Sequence, residues 1–222
     1  MPRQPLFVGN VVLVVVDIQS GAGQGYDVVG IDLMPGTEDR IAKAEALVAA
    51  ARAHGVPIVF FQEVHRPSGV DFGRELDGAE SRHCVEGEAA TDLWPTLVPQ
   101  GENEFHIRKR RYSCFIGTDL EILLRGLRAE TLVLIGGLTD VCVHYTFADG
   151  HQRDYYMRVV EDCVGGSTVA RHEASLDAME YLQAGARRST EEIIAAFAGL
   201  GAQRGAAAPP TDTTNDLVEA SL

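Results

Sequence analysis

The chain of 222 residues has a formal net charge of −13, because 32 acidic residues outnumber 19 lysines and arginines. This acidic balance argues against a nucleic-acid binder, which needs a basic face to displace counterions, and against adsorption to anionic lipid. The apolar fraction of 45% and the charged fraction of 23% are ordinary for a globular protein, so wholesale disorder is not expected.

Strand-length apolar runs alternate along the chain with segments of helical period. Residues 11–16 form a continuous, mostly β-branched apolar run, which is typical of a parallel strand buried on both faces. The pattern then predicts a helix over 38–53 and a second buried strand over 56–62. Residues 63–102 show weak periodicity and are rich in glycine and charge. A stretch of that length inside a compact domain is usually functional.

The alternation continues through the second half of the chain. It predicts α/β architecture: a single three-layer α/β/α domain over residues 1–202 with a mostly parallel six-stranded sheet. The Ala/Pro/Thr-rich residues 203–222 are predicted to be a low-complexity C-terminal tail. The further predicted strands are 104–108, 131–135, 158–161 and 187–190, and the further predicted helices begin near 118 and cover 141–152, 168–184 and 191–198.

The four cysteines indicate a reducing environment. No C-x-x-C pair is present, their spacing matches no zinc-finger pattern, and four are too few for a disulfide scaffold. No apolar run approaches the ~20 residues of a membrane helix. The sequence therefore predicts a cytoplasmic protein with no membrane partner.

Three reactive side chains fall at the predicted carboxyl ends of separate strands. Asp17 ends the first strand, Lys109 ends the third, and Cys142 lies just past the fourth, where a helix begins. Ligands of open parallel sheets bind beyond these strand ends. We therefore expect the three side chains to form one constellation.

This constellation suits nucleophilic catalysis by the thiolate of Cys142. A helix N-terminus and the charge of Lys109 would lower the thiol pKa from its reference of about 8.5, and the helix N–H groups could hold an oxyanion. Asp17 could take the thiol proton and pass it to a leaving amine. The alternative is structural: a small buried cysteine, a strand-end aspartate, and a lysine within the basic run 108–111 on a solvated face.

Four segments resemble one known family. They are the apolar strand with Asp-x-Gln at 14–19, the Lys-Arg-Arg-Tyr-Ser-Cys-Phe segment at 109–115, the Gly-Gly-Leu-Thr-Asp-Val-Cys-Val turn at 136–143, and the helix and strand around 146–162. With the order of elements over 11–190, they are similar to the isochorismatase-like cysteine hydrolase superfamily. That group includes nicotinamidase, N-carbamoylsarcosine amidase, ureidoacrylate amidohydrolase and biuret hydrolase.

The resemblance implies a Rossmann-like fold, a homodimer or homotetramer, and roles for individual residues. Asp17 would be the general base, Lys109 the positively charged third member and Cys142 the nucleophile. A cis peptide would fall at Gly137–Leu138, and the backbone N–H groups of Leu138 and Cys142 would form the oxyanion hole.

Three side chains near this constellation are predicted to bind substrate. Gln19 could orient Asp17 or a substrate amide, although a loop contact is as plausible. Arg111 could hold a carboxylate or carbonyl at two points, whereas a solvated face is the default for its basic neighbours. Tyr112 could wall a small pocket, or belong to the core.

The family resemblance also bears on metal. Nicotinamidases carry an Asp-x-His pair and a further histidine that bind a metal. Here the matching stretch is Glu63-Val-His65 with no second histidine close behind, and His83 looks too solitary for a metal site. We expect Glu63 and His65 to be a hydrogen-bonded pair that shapes the loop, with no metal and no cofactor.

The sequence as a whole predicts a metal-independent cysteine amidohydrolase. Its substrate would be a small amide or carbamoyl (ureide-type) compound, cleaved at a C–N bond through a covalent Cys142 intermediate. The alternatives are a nicotinamidase-type hydrolase, an isochorismatase-type hydrolase that does not need the cysteine, and a non-catalytic thiol-sensing or binding member.

Overall fold

The computed structural model describes residues 5–25 and 29–206. Six strands form one sheet in the order β3-β2-β1-β4-β5-β6, and every neighbouring pair is parallel. The strands are β1 (Asn10–Val16), β2 (Ile58–Glu63), β3 (Glu104–Lys109), β4 (Ala129–Gly137), β5 (Tyr156–Gly165) and β6 (Arg187–Arg188). The predicted six-stranded α/β class is confirmed.

Within the described ranges, five α-helices cover the two faces of this sheet. They are α1 (Thr37–Ala53), α2 (Leu120–Gly126), α3 (His144–His151), α4 (Val169–Leu182) and α5 (Thr190–Ala206). Short 3₁₀ turns at Glu75–Asp77 and Ala89–Thr91 are the regular elements of the long predicted loop. Across the described ranges, no helix combines the length and the apolar character needed to cross a membrane.

The β1 run explains the three layers. Its six apolar residues are each at most 2% exposed. Because side chains alternate across a strand, Val12, Val14 and Val16 pack into one hydrophobic core, while Leu13 and Val15 pack into the other. A strand buried on both faces requires helices on both sides.

The C-terminal helix is longer than predicted. The sequence predicts a helix over 191–198, yet α5 runs from Thr190 to Ala206. Gly199 does not adopt the left-handed conformation of a helix-ending glycine. Ile193 and Phe197 are fully buried and anchor α5 to the core. Most of the predicted tail, residues 207–222, lies outside the described residues.

The topology leaves a crevice beside β1. The chain places β2 on one side of β1 and β4 on the other, so the connections after β1 and β4 diverge. Such a switch point is where open α/β sheets bind ligands. Asp17 follows β1 and Cys142 follows β4, and the two residues therefore flank this crevice.

Gly136 is needed at this crevice because its backbone is left-handed and tightly packed. Its φ is 112°, and an added Cβ would lie 1.9 Å from the carbonyl oxygen of Val16.

We predict that Gly136→Ala lowers the free energy of unfolding by about 3 kcal/mol or more, measured by urea denaturation. Gly126→Ala is the control, since Gly126 lies in α2 with open space around it, and it should stabilise by roughly 0.5–1 kcal/mol. Equal effects of the two substitutions would contradict this account.

Candidate active site

Asp17 turns into the crevice through an unusual backbone conformation. It follows β1 with a φ of 50°, a left-handed value that aspartate tolerates better than most residues. Its Oδ2 atom lies 2.7 Å from Nζ of Lys109. The sequence therefore positions the carboxylate by ending a buried strand with a residue that accepts this turn.

Lys109 is the centre of the site. It ends β3 in register with Glu63, which ends β2, and its side chain is completely buried. The Nζ atom lies 2.6 Å from Oε2 of Glu63, 2.7 Å from Oδ2 of Asp17 and 3.3 Å from Sγ of Cys142. An ammonium has three N–H donors, so each of these groups can receive one. The structure thus brings Asp17, Lys109 and Cys142 together.

Glu63 is a fourth member of this cluster, which the sequence reasoning placed only in the loop beyond. Its Oε2 atom lies 3.4 Å from Sγ of Cys142. The carboxylate is buried, with 5% of the residue exposed. Its position at the carboxyl end of β2 was the signal that could have found it, because the ends of neighbouring parallel strands share one edge.

The two carboxylates have opposite electrostatic settings. Burial raises the pKa of Asp17 to about 6, despite the opposing charge of Lys109. Burial also opposes ionisation of Glu63, but Lys109 and hydrogen bonds from His65 and His83 hold the pKa of Glu63 well below its ordinary value. A carboxyl group whose pKa is near 6 can both accept and return a proton at neutral pH, whereas a carboxyl group with a very low pKa remains a fixed negative charge.

The resting Cys142 is a thiol, contrary to the expected lowered pKa. Burial raises the pKa of Cys142 well above its ordinary value, and the charges of Glu63 and Asp17 add to this, while Lys109 only partly opposes it. The expectation erred because it counted the positive groups and left out both desolvation and the second carboxylate. The thiolate must therefore form when substrate reacts.

The nucleophile turn has the backbone that the resemblance implied. The peptide bond between Gly137 and Leu138 is cis. A wide helical turn at Thr139–Val143 follows, and α3 continues from it. Cys142 therefore lies at the beginning of a helical segment, as predicted, and both Leu138 and Cys142 line the cleft beside it.

An open cleft with a cavity volume of about 140 Å³ reaches this cluster. Gln19 and Tyr112 line it, as do several side chains from the long loop that follows β2. Gln19 is buried, and its side-chain amide bonds to the backbone of Glu63 and Thr91. Gln19 thus holds the loop at the cleft while facing into it.

The structure does not bring Arg111 to the cleft. Its guanidinium donates hydrogen bonds to the backbone carbonyls of Asp71 and Arg110, and it is absent from the described residues that line the cavity. Tyr112, the next residue, lines the cleft and stacks on Tyr145 with ring centroids 5.8 Å apart.

A second buried cluster lies on the side of Glu63 that faces away from Lys109. The Oε1 atom of Glu63 lies 3.3 Å from Nε2 of His65 and 3.1 Å from Nε2 of His83. Oε2 of Glu75 lies 3.1 Å from the same nitrogen of His65. The expected Glu63–His65 hydrogen bond is present. The expectation that no second histidine joins the pair is wrong, because the long loop folds His83 back onto Glu63.

Comparison with known proteins adds the family. The isochorismatase domain model matches residues 11–192, which is most of the chain. The chain belongs to the isochorismatase family.

Individual members of the family sharpen this assignment. The chain is 33% identical over 202 residues to a ureidoacrylate amidohydrolase RutB of Methylorubrum extorquens, an alignment that covers 82% of this chain and 77% of that relative. Pyrazinamidase/nicotinamidase from Streptococcus mutans has a TM-score of 0.71 at 27% identity, covering 81% of this chain and 100% of that one. N-carbamoylsarcosine amidase from Thermoplasma acidophilum has a TM-score of 0.69 at 26% identity, covering 82% and 98%. The amidohydrolase and the amidase among these relatives indicate a hydrolase that acts on C–N bonds.

The second cluster fits the metal that the resemblance to nicotinamidases implies. The Glu75 carboxylate is buried; its Oε2 atom faces His65, and its Oε1 atom has no hydrogen-bond partner among the described residues. One ligand atom each from Glu63, His65, Glu75 and His83 lies within 4.8 Å of the others. Two imidazole nitrogens and two carboxylate oxygens are a donor set that suits a divalent transition metal.

We therefore predict that the thiol-blocked protein binds one equivalent of Zn²⁺, and that His83→Ala and Glu75→Ala each weaken binding by roughly 100-fold or more. Competition with a chromogenic chelator measures the affinity. Glu88→Ala, which changes an exposed carboxylate of the same loop, should leave the affinity unchanged. Equal affinity in all four proteins would contradict the assignment.

Proposed function

We propose that the protein is a cysteine amidohydrolase that cleaves a C–N bond of a small ureide or carbamoyl compound through a covalent Cys142 intermediate. The observation that carries the proposal is the buried Lys109 ammonium, within 3.3 Å of Sγ of Cys142 and 2.7 Å of Asp17. Two relatives support a ureide as the substrate, because one is a ureidoacrylate amidohydrolase and the other is an N-carbamoylsarcosine amidase.

Asp17 is the base that suits the first step. The reactive atoms of Asp17, Glu63 and Cys142 all lie within 4.8 Å of one another, so both carboxylates are within reach of the thiol. Asp17, whose pKa is about 6, matches a proton that must be taken and returned near neutral pH. Glu63 is a weaker base because its pKa is held well below the ordinary value.

The covalent steps follow from this assignment. As Sγ of Cys142 attacks the carbonyl carbon, Asp17 takes the thiol proton and Lys109 stabilises the developing negative charge. The N–H groups of Leu138 and Cys142 would hold the oxyanion. Asp17 then gives its proton to the departing amine or ammonia. Water, deprotonated by Asp17, cleaves the resulting thioester or thiocarbamate and regenerates the thiol.

Further parts of the proposal concern the surroundings of this chemistry. Gln19 and Tyr112 would contact the substrate from the cleft wall. A reactive thiol favours a reducing compartment, the cytoplasm, and the four cysteines are free. A homodimer or homotetramer is proposed from the family resemblance alone.

The proposed covalent steps are metal-independent, since each uses only side chains and backbone of this chain. Glu63, His65, Glu75 and His83 would hold the metal, which when bound would supply a Lewis acid at the back of the cleft. Their donor set gives specific support to a second candidate function, hydrolysis of nicotinamide-type aromatic amides, in which a ring nitrogen could face this position.

Incubation with 3-ureidoacrylate, N-carbamoylsarcosine, biuret and nicotinamide, followed by intact-mass spectrometry and ammonia assay, tests these functions. We predict an added acyl or carbamoyl mass on Cys142, also after treatment with a chelator. Cys142→Ala and Asp17→Asn should each lower kcat at least roughly 1,000-fold, because they remove the nucleophile and its base.

Cys114→Ala is the matched control, since Cys114 is a buried thiol whose pKa is raised to about 12, mainly by burial. It should keep the adduct and most of the activity. Turnover by Cys142→Ala at the wild-type rate would overturn the covalent mechanism, and turnover of nicotinamide alone would favour the second candidate.

The raised pKa of Asp17 predicts an acidic limb in the pH profile. The base must be ionised, so kcat/KM should rise about tenfold per pH unit below pH 6 and level off above it. His144→Gln is the control, because burial lowers the pKa of His144 from its ordinary value of 6.5, which could produce a similar limb. The limb should persist in that variant. A profile that stays level down to pH 4 would contradict Asp17 as the base.

A further inference from the structure

The cleft holds a cation that the covalent chemistry does not use. Of the described residues that line the cleft, Arg40 alone carries a guanidinium or an ammonium group. Arg40 lies on α1, and burial lowers its pKa, an effect that the charge of Asp39 only partly offsets. A partly desolvated guanidinium in a substrate cleft is available to an anionic ligand.

The hydrogen bonds of Arg40 leave part of its fork open. The guanidinium donates to the carbonyl oxygens of Pro35 and Met34 and to Oγ1 of Thr37. These acceptors are neutral, and no carboxylate oxygen of a described residue lies within 4 Å of the guanidinium. A guanidinium has five N–H donors. Nε–H and one Nη1–H therefore have no acceptor among the described residues.

Arg40 is placed close to the reacting atoms. Its guanidinium lies over Gly165, where an added Cβ would come 2.5 Å from Nε of Arg40. Gly165 pairs in the sheet with Gly137, the residue before Leu138 of the nucleophile turn. Arg40 thus lies against β5, next to the strand that leads into that turn.

The carboxylates of the cleft lie away from Arg40 in the chain or have partners of their own. Asp17 and Glu63 are both paired with Lys109. Glu80 and the exposed Glu88 belong to the loop that follows β2, and Oε2 of Glu80 lies 3.9 Å from Nε2 of His83. An anionic substrate group is therefore attracted to the Arg40 end of the cleft.

We infer that Arg40 is a specificity-determining residue that holds a carboxylate of the substrate while the ureido carbonyl lies at Cys142. This inference rests on the proposed function and deepens it: the substrate is a ureido acid rather than a neutral ureide.

Paired ligands test this inference: 3-ureidopropionate, which carries the carboxylate, and N-butylurea, which has similar length without it. Dissociation constants are measured by calorimetry in a Cys142→Ser background, and kcat/KM in the active enzyme. Arg40→Gln should weaken binding of the acid and lower its kcat/KM, each roughly 10- to 100-fold. The same substitution should change the binding and kcat/KM of N-butylurea little. Arg40→Lys, which keeps the charge but loses the fork, should give an intermediate loss.

Lys43→Gln is the matched control, because Lys43 lies one turn further along α1, outside the cleft lining, and pairs with Asp162. It should not change the preference for the acid. If Arg40 only stabilised the loop before α1, Arg40→Gln would lower the affinity and kcat/KM for both ligands equally. Equal losses, or equal binding of the two ligands to the protein with Arg40 intact, would overturn the inference.

The calorimetry separates this inference from the proposed function. No turnover and no Cys142 adduct with any ureide would defeat the proposed function. Preferential binding of the acid that disappears in Arg40→Gln would still support the carboxylate site, and absence of that preference would defeat it.

Discussion

One buried ammonium organises the functional end of this molecule. Lys109 is fully enclosed and contacts two carboxylates and the Cys142 thiol. Removing one partner of such a buried ion pair typically costs about 3–5 kcal/mol, because the remaining charge is left uncompensated. The ends of β1, β2 and β3 and the turn after β4 are therefore held in register by the same group that would stabilise a thiolate.

The electrostatics of the cluster shift the pKa values of its two carboxylates in opposite directions. Glu63 remains charged and fixed, because Lys109 and two histidines favour its anion. Asp17 has a pKa near 6 and can exchange a proton. The burial that raises the pKa of Asp17 also keeps Cys142 protonated at rest. A protonated thiol reacts with oxidants less readily than a thiolate does.

The fold and the central three side chains were predictable from sequence because their signals are local. The apolar run of β1 reports a doubly buried strand, and a polar residue at each strand end reports the shared edge. The second cluster was not predictable, since Glu63 and His83 meet only through a long loop without periodicity. Arg111 was misplaced for a related reason: its position in the chain does not reveal that its side chain turns toward the carbonyl of Asp71.

The most direct test of this account replaces the ammonium itself. Lys109→Met combined with Glu63→Gln removes the ammonium and one of its two carboxylate partners, and thermal melting checks that the variant folds. Incubation with a ureido acid followed by intact-mass spectrometry then reports covalent chemistry on Cys142, with Glu63→Gln alone for comparison. The account predicts an adduct in the protein that keeps Lys109 and none in the double variant. An adduct that forms in the double variant at the wild-type rate would contradict it.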